Sequence, residues 1–473
     1  MNGLEAVEIS LKKCQSIIDF RIDSNTYRKD YILTERLINS KVNSTIEKLS
    51  SSVQNFGAYS LCSFINFVEK GIPFLMTQNV RHNYIDWNIE KFVDKKSHEL
   101  LSKSHCKKGQ ILVTMAGEYL GRVAVYERSF ICSSNQAIAK VTLKKGINPY
   151  TVSTFLNSKH GQNQINRFRT LTGQPNINMS LIKMLVIPSF ANSLSIKIES
   201  LIINSEENRN SSFKKYRQAE SLLLNELHLN NWQPTQANTE IKSFRNSFLQ
   251  SGRLDAEYYQ PKYDVLTTKI KQAENCKLSE LVKFKKSIEP GSAAYIEEGI
   301  PFIRVANLSK FGLTEPDIHL SENGVNEMEK LYPKKDTILL SKDGSVGIAY
   351  KVEEDLKAVT SGAILHLTVK SKKIIPDYLT LVLNSVLTQL QAERDAGGSI
   401  IQHWRIGEIE NVLIPVIEIK KQQQIAQLIQ QSFLVKKQSE QLLQTAKQAV
   451  EIAIEAGEAT AMKFIKQNAN YGN

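Results

Sequence analysis

The chain states its programme twice. Gly71–Val80 (GIPFLMTQNV) returns as Gly299–Leu308 (GIPFIRVANL), and Lys107–Glu127 (KKGQILVTMAGEYLGRVAVYE) returns as Lys334–Glu353 (KKDTILLSKDGSVGIAYKVE). Gln136–Lys144 (QAIAKVTLK) matches Gly362–Lys370 (GAILHLTVK), and Tyr150–Ser158 (YTVSTFLNS) matches Tyr378–Ser385 (YLTLVLNS). Arg21–Asp23 with Tyr27 behind it returns as Arg253–Asp255 with Tyr259, and an Ile-Pro pair ends each copy at Ile187-Pro188 and Ile414-Pro415. From the GIPF pair onward the copies lie 226–228 residues apart, and the Arg-x-Asp pair 232 apart. Ordered matches at nearly constant spacing mark a duplication, and a period this long is no solenoid.

Each copy reads as mixed α and β structure. Met1–Glu47 is a short apolar start followed by helix. The paired stretches above are short, alternating or continuously apolar runs bounded by Gly, Asn and Pro, which suits half-buried and buried strands. A helix is predicted over Pro149–Arg167, then a polar loop (RFRTLTGQPNINMS), then a strand ending at Ile187-Pro188.

A long helix follows each copy. Lys421–Phe464 has neither Pro nor, before Gly457, any Gly, and is rich in strong helix formers. Its seam keeps a 3-4 step through Ile425, Leu428, Ser432, Val435, Ser439, Leu442, Ala446, Ala449, Ala453 and Ala456. At 1.5 Å per residue this is a rod of roughly 60 Å that cannot bury its seam alone. Leu194–Leu229 is its counterpart, with a seam (Leu194, Ile198, Leu201, then Phe213, Tyr216, Leu223, Leu227) interrupted by polar Ser205–Ser212. Asn230-Asn231-Trp232-Gln233-Pro234 ends it, and a polar linker runs to about Arg245. The simplest solution is that the two helices cover each other, antiparallel about a pseudo-two-fold axis, with the heads at opposite ends.

Composition narrows the partners. With 60 Lys and Arg against 48 Asp and Glu, the 473 residues carry a formal charge of +12, a balance that suits nucleic acid, although plain solubility also accounts for such an excess. Five scattered cysteines without a CxxC, and eight histidines without ligand spacing, point to reduced thiols and no zinc site. The start, MNGLEAVEISLKK, has no signal-type apolar region, and no apolar run approaches the ~18 residues that span a bilayer; a cytoplasmic location without membrane partners is expected. Two related basic heads at fixed separation suit two stretches of one duplex, with the rod as a ruler: each helical turn adds about 5.4 Å against about 3.4 Å per base pair.

Several stretches together resemble the specificity (S) subunit of type I restriction–modification enzymes. They are Arg21–Asp23 with Tyr27, Arg253–Asp255 with Tyr259, both GIPF strands, and the Lys342–Gly344 turn. Gly173, Gly397 and Gly398 before each terminal strand, and the Ile-Pro leading into a Gln-rich helix, complete the set. The resemblance implies an α+β fold of two duplicated target-recognition domains, each reading one half of a bipartite double-stranded DNA site, joined by two long helices in an antiparallel coiled coil. It divides the chain into recognition domains at 1–190 and 247–415, spacer helices at 191–232 and 416–468, and a linker at 233–246. It implies two methyltransferase (M) subunits and ATP-driven restriction (R) subunits as partners. The S subunit itself does no chemistry in that family: S-adenosylmethionine, ATP and magnesium belong to the partners, which methylate adenine, and no cofactor or metal is expected in this chain.

Catalytic motifs are accordingly weak. Asn148-Pro149-Tyr150 is the nearest string to an adenine-methyltransferase loop, but its single proline sits where a helix should start. No phosphate-binding G-x-x-x-x-G-K-[ST] occurs. Pro376-Asp377 with Glu418-Ile419-Lys420 only faintly resembles a nuclease pattern, and both pieces serve as helix starts. Base reading needs Arg for guanine and Asn or Gln for adenine, best placed in loops that differ between copies. In the first copy these are Gln78, Asn79, Arg81, His82 and Asn83, with Arg167, Arg169, Thr170, Thr172, Gly173, Gln174 and Asn176. In the second they are Arg304, Asn307, Ser309 and Lys310, then Lys342 and Ser345, then Ser399, Gln402, His403 and Arg405. For Arg304 a salt bridge at the core edge is the alternative. A self-contained nuclease with duplicated recognition domains, and a coiled-coil adaptor that binds no DNA, are the other readings of the chain.

Overall fold

The apolar runs of the repeat become central strands buried on both faces. The computed structural model describes residues 6–57, 59–170, 173–230, 232–237, 239–321, 328–397 and 402–468. Two compact units result: Met1–Arg209 with Lys436–Asn473, and Asn210–Val435. Both long helices are therefore shared, the first changing unit after Arg209 and the second after Val435.

In the first unit an antiparallel sheet runs in the order Ser50–Gln54, Ile138–Leu143, Ile111–Thr114, Val123–Val125. Alternate residues of these strands serve different cores, as the period of two requires. Ile111, Val113, Val123, Ala139 and Val141 pack with the helices, whereas Leu112, Ala124, Tyr126 and Ile138 pack on the other side with Leu75, Val80 and Ile85. A second sheet runs Ser133–Ser134, Ile72–Leu75, Phe92–Val93, Phe67–Val68, its first pair parallel. Asn43–Thr45 pairs with Val186–Pro188, the predicted Ile-Pro strand.

The second unit repeats this order by itself. Its main sheet is Val282–Lys286, Ile364–Val369, Ile338–Ser341, Ala349–Lys351, and its second is Tyr295–Ile296, His319–Leu320, Ile300–Ile303, Val359–Thr360. Asn275–Lys277 pairs with Leu413–Pro415. The fold is thus a duplicated mixed α/β unit. Side-chain bonds repeat too: Gln162 donates to the carbonyls of Gly121 and Leu156, and Gln389 to those of Gly347 and Leu383.

Two helices differ from expectation. The helix predicted over Pro149–Arg167 is two, Pro149–Asn157 and Lys159–Phe168, because Ser158 turns extended (ψ 165°) and its hydroxyl caps the next helix at Gly161. A side chain at Gly161 would sit 2.2 Å from the Phe155 carbonyl, so only glycine fits there. The second copy breaks the same way at Ser385, between Pro376–Asn384 and Val386–Asp395. The second long helix, Ile419–Ala456, stops at Gly457, whose φ of +88° ends the rod before a separate helix, Glu458–Asn468. The first long helix, Asn192–Glu226, runs unbroken through its polar middle.

The helices pair antiparallel within each unit. In the first, Ala191 N–H meets Glu458 at 2.9 Å while Ser205 meets Ser439; in the second, Ser212 meets Ser432 and Glu226 meets Lys421 at 2.8 Å. The polar middle is therefore a seam of serines matched to serines. Among the described residues no helix is long and apolar enough to cross a membrane.

Candidate nucleic-acid interface

Two loops of each unit are stitched together by main-chain bonds around a left-handed glycine. In the second unit Gly344 (φ +75°) donates its N–H to the Gln402 carbonyl at 2.9 Å, and Trp404 N–H returns to the Lys342 carbonyl at 2.8 Å. In the first, Gly117 (φ +82°) donates to Pro175 at 3.0 Å, and Ile177 N–H returns to Met115 at 2.9 Å. Asp343 bridges His403, as Ala116 bridges Asn176. A glycine is needed at such φ because a Cβ would crowd the following carbonyl.

This stitching brings some candidates together. In the second unit Lys342, Ser345, Gln402 and His403 share one loop pair. Gln402, His403 and Ser345 are exposed, while Lys342 is salt-bridged to Asp343, whose carboxylate also meets His403 Nδ1 at 2.9 Å. Arg405 is exposed beside them, its own N–H held by Glu408 at 3.0 Å. In the first unit Thr170, Gly173, Gln174 and Asn176 form the matching loop: Thr170 N–H bonds the Asn176 carbonyl at 2.9 Å, and Gly173, Gln174 and Asn176 are exposed. Arg169 is half-buried at the helix end. Thr172 and Ser399 lie outside the described residues.

Other candidates are placed elsewhere. Arg167 is buried, donating to the Thr26 carbonyl at 2.9 Å and pairing with Glu35 at 3.3 Å. Asn79 and Asn307 are buried as well, each accepting a main-chain N–H three residues before it, at 2.9 and 3.0 Å. Asn83 is buried at φ +64° and held by Ser153 and Asn157 at 3.0 and 2.8 Å. These four spend their polar groups on the protein and in this conformation offer none to a duplex.

The hairpins that carry Arg81 and Ser309 serve as contacts to the first long helix. Tyr84 lies under the Arg209 guanidinium at 3.4 Å in the first unit, and Lys310 meets Glu220 at 3.6 Å and the Tyr216 ring at 4.8 Å in the second. Gln78 bonds Glu90 at 3.3 Å, Arg81 pairs with Asp86 at 3.6 Å, and exposed His82 meets Asn157 at 2.8 Å. Ser309 donates to the Gly312 carbonyl at 2.8 Å within its own turn. Arg304 pairs with Asp317 at 3.0 Å, the salt bridge that its alternation with apolar neighbours allowed.

One cation beside these loops lies outside the predicted set. Arg122 stacks on the Tyr119 ring at 4.3 Å beside the Gly117 turn, and burial together with Arg81 pulls its pKa down. It stands where the second copy has Ile348, so the difference between copies was its signal.

The two strings that faintly resembled catalytic motifs hold structural places. Asn148 caps the helix it precedes, accepting the N–H groups of Tyr150 and Thr151 at 3.0 and 3.1 Å. Asp377 is buried against Lys351 at 3.1 Å. Among the described residues no group of three or more His, Cys, Asp or Glu is placed to hold a metal. The exposed groups are hydrogen-bond donors and acceptors on loops joined by main-chain bonds, which is the chemistry of base-edge and phosphate contact.

Residues 270–447 match the family model of the type I restriction modification DNA specificity domain. The chain is also similar to the S subunit of a type I restriction-modification system from M. genitalium, at 15% identity over 90% of this chain and 95% of that one, with a TM-score of 0.39. The HsdS subunit from Thermoanaerobacter tengcongensis is similar at 13% identity over 88% and 97%, with a TM-score of 0.29. No curated protein sequence matches the chain.

Proposed function

We propose that this chain, which carries a type I restriction modification DNA specificity domain over residues 270–447, is a sequence-reading S subunit for a bipartite double-stranded DNA site. The observation that carries the reading is the pair of stitched loops, built alike in both units but bearing different side chains. Gln174 and Asn176 face solvent in one, and Gln402, His403 and Arg405 in the other. Identical frames with different readouts are what recognition of two unlike half-sites requires. The net charge of +12 supplies attraction to phosphate.

The chain in this reading selects the site and leaves the chemistry to partners. Two methyltransferase subunits, with restriction subunits added to them, would bring S-adenosylmethionine, ATP and magnesium and methylate adenine. The exposed Lys, Gln and Glu of the paired helices are the surface offered to them.

The test is to express the chain with methyltransferase subunits and sequence the DNA for methylated adenines. A bipartite motif that disappears on deleting this gene supports the reading. A methylome unchanged by the deletion, together with a complex that transfers no methyl group to any duplex, rejects it.

A further inference from the structure

We propose that Arg21 and Arg253 are positioning residues for sequence reading, each gripping the end of the helix that launches its unit's second reading loop. The inference rests on the function proposed above.

The last carbonyls of a helix lack intrahelical partners and carry partial negative charge, so a cation placed there both bonds and stabilises them. In the first unit that helix is Lys159–Phe168, and the Arg21 guanidinium reaches the carbonyls of Phe168 and Arg169 at 3.5 and 3.4 Å. In the second it is Val386–Asp395, and Arg253 Nη1 donates to the Asp395 carbonyl at 3.1 Å. Each guanidinium is fixed from behind by the carboxylate two residues on. Arg21 Nε meets Asp23 at 2.6 Å, and Arg253 meets both oxygens of Asp255 at 2.8 and 2.5 Å. Each arginine's own carbonyl is held in turn by a tyrosine hydroxyl, Tyr27 at 2.7 Å and Tyr259 at 2.9 Å.

The reading loop begins within two residues of the grip. Thr170 closes on Asn176 at 2.9 Å, and Gly397 on His403 at 3.1 Å. Three residues of the same kind thus stand at equivalent places in both units, although the loops they launch differ in sequence. A planar fork can hold a carboxylate and a carbonyl in one plane; an ammonium cannot, so lysine is not equivalent here. Displacing the grip shifts the loop bearing Gln174 and Asn176, or Gln402 and His403, and reading depends on side-chain placement at that scale.

The experiment uses the full chain with its partner subunits, carrying Arg21→Lys, Arg21→Ala, Asp23→Asn, Arg253→Lys or Arg253→Ala. Methylated motifs are read by sequencing, and unfolding midpoints are measured on the purified complexes. The Arg21 and Asp23 variants should relax base preference in one half-site by about tenfold per position, the scale of one lost bidentate contact, and leave the other half-site intact. The Arg253 variants should relax the opposite half, and the lysine variants should do so with unchanged unfolding midpoints. Retained preference in both alanine variants overturns the proposal, as does equal relaxation of both half-sites with a lowered midpoint. An unaltered chain that directs methylation to no bipartite site instead rejects the functional reading on which the proposal rests.

Discussion

Ser205 and Ser439 bond each other reciprocally across the helix pair: the Ser205 hydroxyl donates to the Ser439 carbonyl at 2.9 Å, and the Ser439 hydroxyl to the Ser205 carbonyl at 2.7 Å. A hydroxyl one carbon from its backbone reaches the opposite backbone only when the helices approach closely. In the second unit Ser432 donates to the Ser212 carbonyl at 2.8 Å. Both serines of the first pair are buried. Ser205→Ala should cost about 1 kcal/mol, the net worth of one hydrogen bond, and Ser439→Leu about 1–3 kcal/mol by overpacking. Denaturant unfolding of the full chain measures both; a leucine variant as stable as the parent would contradict the close approach.

Lys140 and His366 occupy the same buried place in the two copies, Lys140 donating to the Ser134 hydroxyl at 2.9 Å and His366 meeting the Thr360 hydroxyl at 2.8 Å. Burial pushes Lys140 down to about 8 and, with Lys285 nearby, His366 down to about 4. The unfolded chain titrates these groups near 10.4 and 6.5. Between folded and unfolded values the unfolded state holds the extra proton. The contribution of Lys140 to stability therefore rises as pH climbs from about 8 to about 10. That of His366 falls as pH drops from about 6.5 to about 4, by at most about 3 kcal/mol. Lys140→Met should stabilise the chain at pH 7 by about 1–3 kcal/mol, and His366→Gln should flatten the acid limb. Unfolding curves across pH check both.

The duplication was legible because matched strands must keep their apolar period wherever they recur, and the two sheets of each unit follow it. The loops proposed for reading were singled out by their differences between copies, and the structure joins them by main-chain bonds. What was not legible depends on partners distant in sequence. Ser158 ends a helix whose apolar pattern continues across it, and the turn shows only once its hydroxyl is placed against the Gly161 N–H. Arg167 and Asn83 look like exposed polar residues until Glu35 and Asn157 are placed beside them. Ser205–Ser212 looked like a gap in the seam because pairing of serine with serine is visible only once the second helix is present.

Lys351 is enclosed by Asp377 at 3.1 Å and by Glu353 and Asp336 at 3.4 Å each. Burial alone would lower its pKa, but the attraction of Asp377 and Glu353 prevails and raises it. Its stabilising contribution is complete below the unfolded lysine value near 10.4 and is lost as pH rises through the raised folded value. Lys351→Met leaves the buried Asp377 charge without its partner and should cost about 3–5 kcal/mol at pH 7. Adding Asp377→Leu should restore much of that loss. A double variant no more stable than Lys351→Met would show that the pair is not the source.

Gly344 separates the frame of the stitched loops from the side chains proposed to read DNA. Its φ is +75°, its N–H holds the Gln402 carbonyl at 2.9 Å, and a Cβ there would meet nothing within 4 Å. Strain alone then decides the effect of substitution. Gly344→Ala should cost about 1–2 kcal/mol, the penalty for an ordinary side chain in the left-handed region. Gly344→Asn should cost less, because asparagine enters that region readily. If the turn positions Gln402, the alanine variant should also weaken discrimination of one DNA half-site while the asparagine variant keeps it. Competition binding with half-site mismatches, on complexes matched for folded fraction, measures this. Equal discrimination by the two variants would mean that the turn holds the loop without directing it.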